Sequence, residues 1–124
     1  MKTVMKALLC VLIASSTAFA DTLDASALVG TWNHQAISKT ASGAAEPVST
    51  AKISWVFSAD GKGEYRQTVP SLGMNNTRPF KWALNGSDIL LDGGKIKYTV
   101  VKNSGNTMIW KNHMLGDYFH VVKK

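Results

Sequence analysis

From Thr31 onward almost every second residue is apolar within short stretches, and each stretch is closed by glycine, proline, asparagine or aspartate. Side chains of an extended strand alternate between two faces, so this period of two selects half-buried β-strands over amphipathic helices, which repeat every 3.6 residues. Eight runs are expected: Thr31–Ser38, Ala51–Phe57, Glu64–Val69, Arg78–Leu84, Asp88–Leu91, Lys95–Val101, Thr107–Lys111 and Tyr118–Lys123. They start about every 12 residues, the spacing of a sandwich or barrel. A short helical turn, Asp24 to Leu28 with Asp24 as its cap, precedes them and is expected to cover one end of the fold.

The connections decide between those two architectures. Ala59-Asp60-Gly61-Lys62-Gly63, Asn85-Gly86, Asp92-Gly93-Gly94 and Leu115-Gly116-Asp117 all read as tight hairpins. Asn85-Gly86 is the strongest, as the central pair of a type I′ turn. A chain of hairpins is an up-and-down meander. With an even number of strands the first and last run antiparallel and can pair, which removes both exposed edges. The expected fold is therefore all-β, an eight-stranded antiparallel up-and-down β-barrel with Lys39–Ser49 and Pro70–Asn76 as its longer loops.

The first twenty residues read as an address. Lys2 and Lys6 form a positive start, Ala7–Ala14 an apolar stretch and Ala18-Phe19-Ala20 a small-residue cleavage site, the layout of a signal peptide. The apolar stretch is too short for a membrane span. Cys10 follows Leu8-Leu9, without the small residue that lipidation requires before the cysteine. Residues 21–124 then form one domain with no cysteine, expected in a bacterial periplasm or secreted beyond it. Without Lys2 and Lys6, twelve basic residues face eight acidic ones, and the cations are scattered. Scattered cations argue against a nucleic-acid stripe.

Leu28-Val29-Gly30-Thr31-Trp32 resembles the Gly-X-Trp opening of the lipocalins, and more closely that of the small secreted bacterial lipocalin-like domains. Phe57-Ser58-Ala59-Asp60-Gly61-Lys62-Gly63 resembles their Phe-X-X-Asp-Gly-X-Gly hairpin, and the stretch Phe80–Leu91 their middle hairpin. The resemblance implies a calycin-like barrel whose mouth holds an apolar molecule, with Gly30 and Trp32 at the closed end. In lipocalins an arginine near the last strand packs on that tryptophan. Here the cations in that region are Lys123 and Lys124, and Lys123 shares the parity of Phe119 and Val121, so it is expected in the arginine's place.

Four tryptophans in so short a chain point to an aromatic core or an indole-lined cavity. The expected ligand contacts are Trp55, Tyr65, Trp82 and Tyr98 for area, with Gln67 or His34 supplying a polar group. His34, His113 and His120, with Met108 or Met114, have no metal-site spacing and are expected to be isolated. Asp60–Glu64 lacks the alternating acids of a calcium loop. No nucleophile, phosphate-loop or paired-carboxylate motif is present, so neither catalysis nor a cofactor is expected. The expected function is burial of a small apolar or amphipathic ligand inside the barrel. The alternative is a periplasmic protein-interaction module, an inhibitor, immunity factor or assembly accessory, with a filled core and binding loops at the rim.

Overall fold

A computed structural model describes residues 23–48 and 51–124. The signal-peptide reading and Cys10 lie outside these residues. The elements are α1 (Ala25–Leu28), β1 (Gly30–Ser38), β2 (Glu46–Pro47), β3 (Lys52–Phe57), β4 (Lys62–Val69), β5 (Met74–Asn85), β6 (Asp88–Leu91), β7 (Ile96–Asn103), β8 (Thr107–Asn112) and β9 (Tyr118–Lys123). Strands β3 to β9 pair with their sequence neighbours, β1 pairs with β3, and β1 also pairs with β9. The sheet thus closes into an eight-stranded antiparallel barrel, with Trp32 opposite Lys123 and Ser38 opposite Tyr118 across the seam.

The two-residue strand β2 was not foreseen. It borders β1 at Ala36 and Ile37, above the point where β3 stops pairing at Asn33 and Ser54. Strand β5 is also longer than its apolar pattern predicts. Asn75, Asn76 and Thr77 are polar and exposed, yet they pair with Thr68, Gln67 and Arg66 of β4. The expected loop from Pro70 shrinks to a single 3-10 turn, Pro70–Leu72, followed by Gly73 at φ +63°. Backbone hydrogen bonds to an existing neighbour are indifferent to side-chain polarity, so the hairpin zips past the end of the alternation.

Two turn details differ from expectation. Asn85 pairs with Asp88, so the two-residue loop is Gly86-Ser87, and only Gly86 has positive φ. Glycine first is the pattern of a type II′ turn rather than I′. Asp24 stands at the start of α1, but its side chain makes no capping bond. The turn is held by the backbone bond from Ala27 N to Asp24 O and by burial of Leu28.

β1, β4, β6 and β8 run toward one end and β3, β5, β7 and β9 toward the other, so the barrel has distinct ends. At the closed end Leu23 N donates to Gly86 O, and the Trp32 indole donates to Leu28 O at 2.8 Å. The α1 turn is thus tied across the opening. Trp32, Trp55, Trp110, Phe57 and Leu28 are almost wholly buried. Each buried indole removes roughly 150–250 Å² from water, or roughly 4–6 kcal/mol at 25 cal/mol per Å². Edge contacts join Trp55 to Trp110 at 5.2 Å and Phe57 to Trp82 at 5.5 Å, so the lower half of the barrel is solid.

Candidate functional site

The wall of the barrel is incomplete on one side. Strand β6 has four residues and pairs with β5 only between Trp82 and Asn85, leaving β5 from Met74 to Lys81 without a neighbour on that side. Pro79, which has no N–H to donate, is tolerated on such an edge. In place of a strand, the turn Asp92–Gly94 folds over, and the Asp92 carboxylate accepts from Lys81 N at 3.0 Å.

A cavity of about 430 Å³ lies behind this gap. Trp55 forms its floor, and Tyr65, Phe80, Leu91, Ile96 and Tyr98 its walls. Arg78, Pro79, Asp92, Lys95 and Met114 stand around the opening, with Asn112 beside them. Trp55 is fixed from all sides: Tyr65 and Tyr98 each approach its ring at 5.9 Å edge-on, and Phe119 stacks at 5.9 Å. The Arg78 guanidinium lies 5.9 Å from the Tyr65 ring centroid, within cation–π range.

The phenols are held in their neutral form. Burial pushes Tyr98 up to about 12, opposed by the Trp55 indole and reinforced by Tyr65 and Asp117. Burial also raises Tyr65, while the Arg78 charge pulls it back. Both hydroxyls therefore stay protonated at neutral pH. The Asn112 side-chain oxygen accepts from Met114 N at 3.1 Å, which holds the turn that carries Met114 to the opening.

Of the six expected ligand contacts, Trp55, Tyr65 and Tyr98 line this cavity. Trp82 faces inward but lies toward the closed end, where its indole N–H is shared between Ser58 O at 3.1 Å and Lys62 O at 2.9 Å. It staples the β3–β4 hairpin. Gln67 sits between Ile53 and Asn76 in the sheet, outside the cavity lining. His34 is wedged beside the floor, 4.4 Å from the Phe119 ring and 5.6 Å from that of Trp55. Neither imidazole nitrogen has a hydrogen-bond partner among the described residues. Burial lowers its pKa, with the Ala36 backbone and Asp117 acting in the opposite direction.

Phe80, Leu91 and Ile96 were legible as inward-facing by parity, but not as cavity walls. Arg78 and Met114 carried no signal, because the shortness of β6 brings them to the opening and a turn presents the methionine. The histidines do not converge. Ser38 Oγ donates to Thr40 O, so His120 Nε2 donates to Ser38 Oγ at 2.8 Å; likewise Thr99 donates to Asp88 and receives His113 Nε2 at 2.6 Å. Among the described residues no three His, Cys, Asp or Glu side chains are grouped to hold a metal ion.

At the closed end Lys123 Nζ stands 5.7 Å from the Trp32 ring centroid. A Cβ on Gly30, whose φ is +135°, would lie 2.8 Å from Lys123 Cε. Gly30, Trp32 and Lys123 thus form one packed unit.

No curated protein matches the chain by sequence. Among solved structures, Per a 4, a major allergen from cockroaches, is similar in fold at 13% identity and a TM-score of 0.58, over 89% of this chain and 74% of that one. A family model described as the lipocalin-like domain matches residues 28–110, from the end of α1 through the buried Trp110 of β8. That span contains the Gly-Thr-Trp opening, the Asp-Gly hairpin and every cavity wall except Asn112 and Met114, and this chain accordingly belongs to the lipocalin-like domain family.

Proposed function

We propose that this protein is a non-catalytic binder that buries a small apolar or amphipathic molecule in the upper half of its barrel. The observation that carries the reading is the cavity of about 430 Å³, walled by Trp55, Tyr65, Phe80, Leu91, Ile96 and Tyr98. Its size falls within the ~300–1,000 Å³ of small-molecule sites. The aromatic walls take the apolar part of the ligand, and the Tyr98 and Tyr65 hydroxyls with Arg78 at the opening orient its polar end. The N-terminal pattern of Lys2, Lys6 and Ala18-Phe19-Ala20 supports a site of action outside the cytoplasm, in the periplasm or beyond.

The test is titration with N-phenyl-1-naphthylamine, a neutral apolar fluorophore, followed by quenching of tryptophan emission. Ile96→Trp fills part of the cavity and is expected to weaken binding about tenfold, comparable to losing one well-buried side chain's contact. Val101→Ser, at an exposed position away from the cavity, leaves it unchanged. Absence of binding, or equal affinity for Ile96→Trp with its circular dichroism intact, overturns the proposal.

A second reading, docking of a protein on the rim loops, draws on a concavity of about 700 Å³ between residues Ile37–Glu46 and Leu115–Asp117. Loops on a rigid scaffold commonly carry such contacts.

A further inference from the structure

The open end carries large apolar side chains that the fold does not bury. Leu72 is 70% exposed and Met74 42% exposed at the β4–β5 connection; Met114 and Leu115 are 70% and 74% exposed at the β8–β9 connection. In the barrel order these two hairpins stand on opposite sides of the mouth, four strands apart. They are therefore two prongs rather than one continuous patch. Exposed leucine and methionine at loop tips gain nothing for the stability of the barrel, which already buries its own core.

The charge around them has one dominant sign. Lys39, Lys52, Arg78, Lys95, Lys97 and Lys111 lie at or near this end, the last two placed by the bond of His113 N to Lys97 O and the pairing of Lys111 with Tyr118. Against them stand Glu46, Asp92 and Asp117; Asp92 is engaged with Lys81 N, and one oxygen of Asp117 is buried. A second copy of this chain would bring the same cations and be repelled. A rigid protein partner would have to match two separated prongs with a cleft between them. A fluid anionic surface meets both at once.

We propose that the open rim docks on an anionic phospholipid bilayer, with Leu72, Met74, Met114 and Leu115 entering the boundary between headgroups and acyl chains. The flanking cations contact lipid phosphates, each contributing roughly a fivefold gain in partitioning near the surface. Apolar tips plus cations is the combination that holds a protein on, not through, a membrane. In this pose Met114, which is both a prong and part of the cavity opening, places the cavity against the lipid. Docking itself does not require the cavity to hold a ligand.

The test is co-sedimentation of the full chain with two vesicle populations, pure phosphatidylcholine and phosphatidylcholine containing a minority of phosphatidylglycerol. The expected result is binding to the anionic vesicles that weakens with added salt and on pure phosphatidylcholine. Leu72→Ser combined with Leu115→Ser should weaken partitioning about tenfold or more, since each leucine loses much of its transfer gain. Val101→Ser, exposed on the barrel side, should bind as the parent does. The N-terminal stretch with Lys2 and Lys6 is common to all variants and cancels between them but not between the two lipids, so the supporting result is the loss of binding by the double variant on the anionic vesicles. Ile96→Trp should pellet normally, which separates this proposal from the ligand reading. If the chain stays in the supernatant, if the double variant pellets as well as the parent, or if lipid charge has no effect, the rim is not a bilayer surface and a protein contact takes precedence.

Discussion

Replacing Gly30 by alanine probes the closed end. The new Cβ would stand 2.8 Å from Lys123 Cε, 3.7 Å from Nζ and 3.9 Å from Cδ. Carbon atoms rest at about 3.5–4.0 Å, so the lysine stem must withdraw by roughly 1 Å. The stem is flexible and yields, but its ammonium is already near the ~6 Å limit for attraction to an indole. Withdrawal therefore loses the contact with Trp32, worth about 0.5–1 kcal/mol. Holding alanine at φ +135° costs a further ~1–3 kcal/mol. Gly30→Ala should then destabilise by about 1.5–4 kcal/mol, which for a domain near 100 residues lowers Tm by roughly 6–30 °C. Lys123→Ala alone should cost only about 0.5–1 kcal/mol. In the double variant the lysine contact has already been lost, so its cost should equal that of Gly30→Ala within error. Denaturant unfolding of the four proteins measures the coupling directly. Fully additive costs would show that Lys123 is not displaced, and a neutral Gly30→Ala would refute the strained-glycine argument altogether.

Trp82→Phe keeps an aromatic ring against Phe57 but removes the N–H shared by Ser58 O and Lys62 O; a loss of about 1–2 kcal/mol is expected in urea unfolding. Gly63→Ala drives a Cβ into the Phe80 ring and Val56 O; the backbone oxygen cannot step aside, so a loss of about 1–3 kcal/mol is expected by the same measurement. His34 has a folded-state pKa below its ordinary 6.5 because burial disfavours the charged ring. The unfolded chain therefore binds the proton first, and stability contributed by neutral His34 is present above about pH 6.5 and declines as pH falls below it. Thermal melts of His34→Leu across this range should show a shallower acid slope than the parent and a higher Tm at the acid end. A parent and variant with parallel slopes would remove His34 from the pH response.

The eight barrel strands, the meander and the closure were readable because a period of two is a local property, whereas the two-residue β2 carries no such period. Each run declares which face is apolar, and hairpins leave few ways to connect them. Parity put Lys123 on the face of Phe119 and Val121, and only the resemblance to lipocalins set it beside Trp32, from whose ring centroid its Nζ stands 5.7 Å away. Three cavity residues, Trp55, Tyr65 and Tyr98, followed from the same parity. Parity gives a face and not a height, however, so it did not separate Trp82, near the closed end, from Trp55 at the cavity floor.

What the chain alone determined, then, is an amphipathic ribbon of even strand number with an aromatic inner face and a glycine-tryptophan start. What only tertiary structure decided is where that ribbon is filled and where it is open. The four residues of β6 pair with the lower end of a twelve-residue β5, and this mismatch leaves the gap that exposes Arg78 and opens the cavity. Register between strands distant in sequence sets such a mismatch, and register depends on the packing of Trp55, Trp110 and Phe57 against one another across the barrel rather than on any one strand's own pattern.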